Sequence, residues 1–382
     1  MLVVSALLLA AFGTADAEAC PSREIFPTTD WQTKAAPSSS ATAALEAFAF
    51  SLTGADEERK GIRTDAVLIV KGGVVVYERY ARGFTRDTRH LTWSVTKSLT
   101  GVLAGVGVRR GLVDLSASIC SYVDGLPQAS CGITVEHLLT MGSGLDWQES
   151  YEEDESLLHS SVLIGLYGSG QRDLGVFNAR HALRDPPGTS WRYSSGDSAT
   201  LSRVLRKAMA PTLGERFLWP TLLQPIGAEN GTVELDGAGT MVGGSYWYAT
   251  ARDAARLGYL ALNDGCWRGE RLLPAGWMAA STTPNSAYLK KRVGAGADDV
   301  YGRHWWLNRP VPDIGQKAPW PAAPEDLFAA RGHWGQSILV IPSTDTIIVR
   351  FADDREAGAF DLNRFIPLAQ AVADTGAAEE LR

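Results

Sequence analysis

Ser94-Val95-Thr96-Lys97, continued by Ser98-Leu99-Thr100-Gly101-Val102-Leu103-Ala104-Gly105-Val106-Gly107-Val108, places a hydroxyl and an amine three residues apart at the head of an apolar run. Leu99, Val102, Leu103, Val106 and Val108 recur as they do along a helix buried in a core. Positions i and i+3 of such a helix share a face, so Ser94 and Lys97 project together. A serine followed three residues later by a lysine arises by chance about once in a chain of this size. The spacing alone therefore decides nothing, and the apolar context carries the reading. Burial desolvates Lys97, and an amine that acts as a base near neutrality needs its pKa brought from about 10.4 to about 7, a differential destabilisation of about 4 to 5 kcal/mol. The stretch points to a serine nucleophile whose proton is taken by a desolvated lysine.

Outward from this helix, strand patterns gather at the two ends of the chain. Ala66 to Val70 and Val74 to Tyr80 flank Lys71-Gly72-Gly73, a hairpin signature. Ser337 to Ile341 and Thr346 to Phe351 flank Pro342-Ser343-Thr344-Asp345 in the same way. Pro37-Ser38-Ser39-Ser40 reads as a loop before a first helix marked by Ala43, Leu45, Phe48 and Phe50, and Phe360 to Val372 reads as a closing helix. Hairpins at both ends with helical and looped sequence between them predict an α+β fold. Its antiparallel sheet is built from both chain ends and flanked by helices, with an inserted, mostly helical subdomain at roughly 110–240. The expected organisation is an N-terminal extension with the first helix at 20–59, a main domain at 60–375 and a tail at 376–382. No internal repeat or low-complexity segment interrupts it.

With 382 residues, 45% of them hydrophobic, the chain has ample material for a core. A net charge of −7 and no basic run longer than Lys290-Lys291-Arg292 argue against binding nucleic acid through phosphates. Leu2 to Phe12 is apolar but too short to span a bilayer, and Ala15-Asp16-Ala17 or Ala17-Glu18-Ala19 offers a cleavage site. Residues 1–19 are therefore expected to be a signal peptide, directing the protein to the periplasm or outside the cell. No Lys or Arg precedes the apolar run, and without a working signal the protein would be cytoplasmic. Glu18 makes Cys20 a poor lipidation site. The four cysteines lack C-x-x-C spacing, which argues against zinc, and their even number suits an exported chain. Cys120 and Cys131 flank a short polar loop and are expected to pair, leaving Cys20 for Cys266; four free thiols are the alternative. His90, His137, His159, His181 and His304 lack metal-ligand spacing and read as structural. There is no G-x-S-x-G elbow, no H-E-x-x-H and no P-loop. Neither metal nor cofactor is expected. The expected partner is a small-molecule ester or amide.

Further motifs follow in a set order. Thr134-Val135-Glu136-His137-Leu138-Leu139-Thr140-Met141-Gly142-Ser143-Gly144-Leu145 is followed by Pro187-Gly188-Thr189-Ser190-Trp191-Arg192-Tyr193-Ser194-Ser195, and then by Arg331-Gly332-His333-Trp334-Gly335-Gln336. With Ser94 to Lys97 they resemble the class C β-lactamase-like serine hydrolases, which include penicillin-binding peptidases, esterases and 6-aminohexanoate-dimer hydrolases. Tyr246 to Asp253, Trp267 to Pro274 and Tyr301 to Trp306 are most similar to the last branch. The resemblance, from about residue 60 to 375, implies a sheet domain and a helical domain with the active site between them. It implies Ser94 as nucleophile, Lys97 as proton acceptor and Tyr193, with a depressed pKa, as acid and base toward the leaving group. It also implies an oxyanion hole of the Ser94 and Gln336 backbone N–H groups, and Ser195, His333, Trp334 and Gly335 as substrate contacts.

Two positions depart from the penicillin-recognising members. His333 stands where they have a lysine, and a histidine of ordinary pKa, about 6.5, is mostly neutral at pH 7 and meets a carboxylate weakly. Ser195 stands where they usually have asparagine, removing an amide that can bind a substrate carbonyl. A β-lactamase or penicillin-binding carboxypeptidase is the rival reading, and a non-catalytic binding protein on the same scaffold is the second. Glu149, Glu152, Glu153, Asp154 and Glu155 are expected to form a solvated face, or else to hold a cationic amine near the cleft.

Overall fold

The hairpins at the two chain ends meet in one six-stranded antiparallel sheet. The computed structural model describes residues 19–35, 38–52, 55–151, 160–294 and 299–378. Nearly all of the expected signal segment, the acidic residues 152–155, His159 and the last four residues of the tail lie outside them. Strands β1 (Thr64–Lys71) and β2 (Val74–Tyr80) form the first hairpin. Later come β3 (Trp306–Leu307), β4 (Phe328–Gly332), β5 (Gln336–Ile341) and β6 (Thr346–Ala352). Their spatial order is β2-β1-β6-β5-β4-β3, so the first and last strands of the sequence pair in the sheet's interior.

Among the described residues, the helices of ten residues or more are α1 (Ser40–Ala49), α2 (Val95–Arg109), α3 (Ser195–Leu213), α4 (Ala251–Leu262) and α5 (Leu362–Ala378). Strand side chains alternate between two cores, as a period of two requires. Val67, Ile69, Leu339 and Ile348 face a layer shared with Leu45 and Phe48 of α1 and Phe365 and Ile366 of α5. Leu68, Val70, Ile338 and Val349 face the layer of α2 and α4. Cover on both faces explains why β1 and β6 read as continuous apolar runs. Helix α2 is buried from Val95 through Gly107, on every side.

Strands β3 and β4 escape the sequence reading, because Phe328-Ala329-Ala330-Arg331-Gly332 lacks the β-branched residues that mark a strand. Cys120 pairs with Cys131, and Cys20 with Cys266, tying the N-terminal segment to the body of the protein.

At the end of β6, Arg350 is buried against Asp354 at 2.6 Å and donates to Thr64 Oγ1 of β1 and to the Gly335 carbonyl. Removing one partner of a buried pair strands the other charge. Asp354→Ala should lower the unfolding free energy by about 3 to 5 kcal/mol, read by urea denaturation. A loss of under about 1 kcal/mol would show that the pair does not secure this corner.

Candidate active site

Ser94 stands at the N-terminus of α2 with helical backbone angles, φ −68° and ψ −4°, and its side chain makes no capping bond. The hydroxyl is therefore not spent on the helix. Trp93, just before it, holds a left-handed φ of 48°, which costs a non-glycine residue about 1 to 2 kcal/mol. One turn on, Lys97 is 1% exposed, and its Nζ donates to Ser94 Oγ at 2.9 Å, Ser195 Oγ at 2.9 Å and the Gly244 carbonyl at 2.8 Å. Burial brings its pKa down to about 8, with the charge of Glu149 opposing. Gly243-Gly244 makes the third contact possible. A Cβ on Gly243 would collide with Ser202 Oγ, and one on Gly244 would come within 3.1 Å of the Ser195 carbonyl.

The three acceptors are not equivalent. A carbonyl such as Gly244 O can only accept. Ser195 donates its hydroxyl proton to Glu149 Oε1 at 2.5 Å, so it too must accept from Lys97. A neutral Lys97 has two N–H bonds, which these two acceptors consume, and its lone pair then faces the Ser94 hydroxyl. Glu149 also accepts from the Ser195 backbone N–H at 2.8 Å, from Trp147 Nε1 and from Tyr151 OH at 2.7 Å. It is half-buried and lines the cleft beside Ser94, with its oxygens engaged by these donors. Trp147, Glu149 and Tyr151 alternate, as side chains on one face of an extended segment do, and that alternation was the available signal.

Tyr193 stacks on Trp306 at 5.2 Å and lies with its ring 4.8 Å from Lys97 Nζ. Its phenol does not have the depressed pKa expected. Burial pushes it up, as does the charge of Glu149, and the Ser94 hydroxyl opposes only in part. Tyr193 is a neutral donor.

These residues border a cleft of about 490 Å³ lined by Trp93, Ser94, Tyr151, Tyr193, Gly332 and His333, among others. His333 stacks on Tyr151 at 5.3 Å. Gln336, Gly335 and Trp334 line a neighbouring cavity that shares Arg331, Gly332 and His333 with the cleft. The Gln336 side chain is held by Ala352, and Gly335 has φ +94°, with a Cβ there falling 2.5 Å from Asp354 Oδ2. The glycine against Ser94 is Gly332. A Cβ there would collide with the Thr92 carbonyl and come within 3.1 Å of Ser94 N, so the strand edge beside the Ser94 amide is Gly332–His333. Ser195 also departs from expectation, since its hydroxyl is occupied by Lys97 and Glu149 and not by the cleft.

Four histidines have backbone or side-chain partners. His90 contacts Asp65, His137 closes a capping box with Thr134, His181 bonds Phe177 and Asn178 carbonyls, and His304 lies between the Leu139 carbonyl and Ser198. Burial pulls the His304 pKa down to about 3. Among the described residues no cluster of His, Cys, Asp and Glu could hold a metal, and no helix is long and apolar enough to cross a membrane.

The β-lactamase family model matches residues 49–372. A 6-aminohexanoate-dimer hydrolase from Paenarthrobacter ureafaciens is 27% identical over 319 residues, covering 81% of this chain and 77% of that protein. Among solved structures, a Bacillus anthracis protein provisionally named 6-aminohexanoate-dimer hydrolase superposes with a TM-score of 0.66 at 20% identity, covering 94% of this chain and 91% of that one. A family VIII carboxylesterase gives a TM-score of 0.59 at 17% identity, over 88% of this chain and 96% of its own. These structural likenesses show a shared fold.

Because a protonated Lys97 cannot take the Ser94 proton, the rate at which a fluorophosphonate labels Ser94 should rise with pH and level off above about 8. Glu149→Gln removes the charge that favours the ammonium, so the midpoint should move to lower pH. A midpoint that stays put or moves upward contradicts the assignment.

Proposed function

The chain belongs to the β-lactamase family and is a serine hydrolase, and from that premise we propose that it cleaves an ester or amide bond through an acyl-enzyme on Ser94, in the manner of a 6-aminohexanoate-dimer hydrolase. One observation carries the reading: the Lys97 amine is buried among partners that leave its lone pair only the Ser94 hydroxyl.

In the proposed cycle, Ser94 Oγ attacks the substrate carbonyl carbon as its proton passes to Lys97. The Ser94 N–H, at the positive end of α2, and the Gly332–His333 edge receive the developing oxyanion. When the bond breaks, Tyr193 gives its proton to the leaving nitrogen or oxygen and takes one back from the Lys97 ammonium. Water then attacks the acyl carbon, a proton passes by the same groups to Ser94 Oγ, and the acid leaves. A phenol with a raised pKa suits this role, because it is protonated when the leaving group needs a proton. We further propose that the protein is exported; its two disulfides support an oxidising compartment.

Intact-mass spectrometry after a fluorophosphonate probe tests the nucleophile. One adduct is expected on the wild type and none on Ser94→Ala; an unlabelled wild type, or equal labelling of both, removes Ser94 from the role. Lys97→Ala and Tyr193→Phe should each cut kcat on a turned-over ester by about 100-fold or more with little change in KM. A variant that keeps near-normal kcat frees that residue from proton transfer.

A further inference from the structure

Among the described residues, Arg331 is a cation of the cleft whose side chain has no hydrogen-bond or ion-pair partner. Lys97 has all its donors engaged, and Arg192 donates to the Trp147 carbonyl and lies 3.6 Å from Asp146. The Arg331 guanidinium lies between two indoles, 5.5 Å from the Trp306 ring centre and 5.4 Å from that of Trp320. No hydrogen bond or ion pair involves it among the described residues, yet it lines the same cleft as Ser94. Asp299 lines that cleft too and acts on Arg331 by charge without pairing with it. Indole faces attract the cation but satisfy none of its five N–H donors. Half-buried and with no protein acceptor among the described residues, the guanidinium is open to an anion entering the cleft, and its planar fork matches a carboxylate.

Placement indicates which part of a substrate would bring that anion. Trp306 has Tyr193 stacked at 5.2 Å and Arg331 at 5.5 Å, so the guanidinium stands one indole away from the group that protonates the leaving atom. Arg331 precedes Gly332 on β4, the strand that runs beside the Ser94 amide, and is set in register by pairing with Ser337. We propose that Arg331 is an anion subsite that receives a carboxylate carried on the leaving portion of the substrate. The inference rests on the reading of Tyr193 as the leaving-group acid. It also assigns a fixed positive charge to the strand on which His333 cannot supply one.

Two esters with the same acyl group test it, one with a 6-hydroxyhexanoate leaving group and the other with its methyl ester. The ratio of kcat/KM for the acid over the methyl ester should fall about ten- to a hundredfold in Arg331→Gln, as loss of a charged hydrogen bond predicts. Arg331→Lys should restore part of it. An unchanged ratio in Arg331→Gln overturns the subsite. A second measurement needs no variant: hexanoate should inhibit wild-type turnover of the methyl ester at concentrations where hexanamide does not, and equal inhibition overturns the subsite as well. Fluorophosphonate labelling of the same wild-type sample separates the two readings. Labelling without carboxylate preference removes the subsite alone, whereas no labelling removes the hydrolase reading beneath it.

Discussion

The burial of the Lys97 amine is the constraint on which the rest of the site depends. An ammonium withdrawn from water has to be either paired or discharged, and this structure stops between the two. Two hydroxyls and a carbonyl satisfy its donors, so the charge is tolerated, while the low-dielectric surroundings bring its pKa to about 8. That residual instability of the charged form is what the proposed role of Lys97 as a base near neutrality requires. It also accounts for the company Lys97 keeps. Helix α2 is buried on all sides, α3 brings Ser195, and Gly243-Gly244 lets a carbonyl approach where a side chain at position 243 would collide with Ser202.

The sheet completes what α2 begins. A nucleophile at a helix N-terminus presents one N–H to an oxyanion, and a second donor has to come from another element. Strand β4 passes close enough that Gly332 has no room for a Cβ beside Ser94 N, so the edge of the sheet and the end of the helix form one wall. The turn that follows is held from behind. Arg350 bonds the Gly335 carbonyl while pairing with Asp354, and Gln336 is clasped by Ala352, so the turn at 333–335 is anchored at its base by residues that never enter the cleft.

What could be read in the sequence follows physical rules that act locally. The two hairpins and the Ser94–Lys97 pair were legible because periods of two and three to four residues are properties of contiguous chain. Strand β4 was not, since Ala329, Ala330 and Gly332 are chosen for close approach to neighbours distant in sequence. The family resemblance implies the Gln336 N–H as the second oxyanion donor, beyond the turn where Trp334 adopts φ 59°, whereas the strand that packs against Ser94 N ends at Gly332, before that turn. In the sequence Glu149 reads as one acid in a charged cluster, because nothing linear reveals that Ser195, 46 residues away, donates two hydrogen bonds to it.

Glu149 raises an apparent contradiction, since a carboxylate near Lys97 favours the ammonium and works against the base. The hydrogen bonds resolve it. Four donors share the Glu149 charge, from Trp147, Tyr151 and both groups of Ser195, so the attraction it exerts on Lys97 is weaker than that of a bare carboxylate and burial remains the larger effect. In return, Glu149 fixes the direction of the Ser195 hydroxyl. An asparagine at position 195 would offer Lys97 an amide oxygen whose role as acceptor is fixed by its chemistry. A serine hydroxyl can point either way, and competes with Ser94 for the lysine's lone pair unless something claims its proton. The carboxylate is thus the complement of the serine: with Ser195 in place of an amide, the site needs an acceptor behind it, and Glu149 is that acceptor.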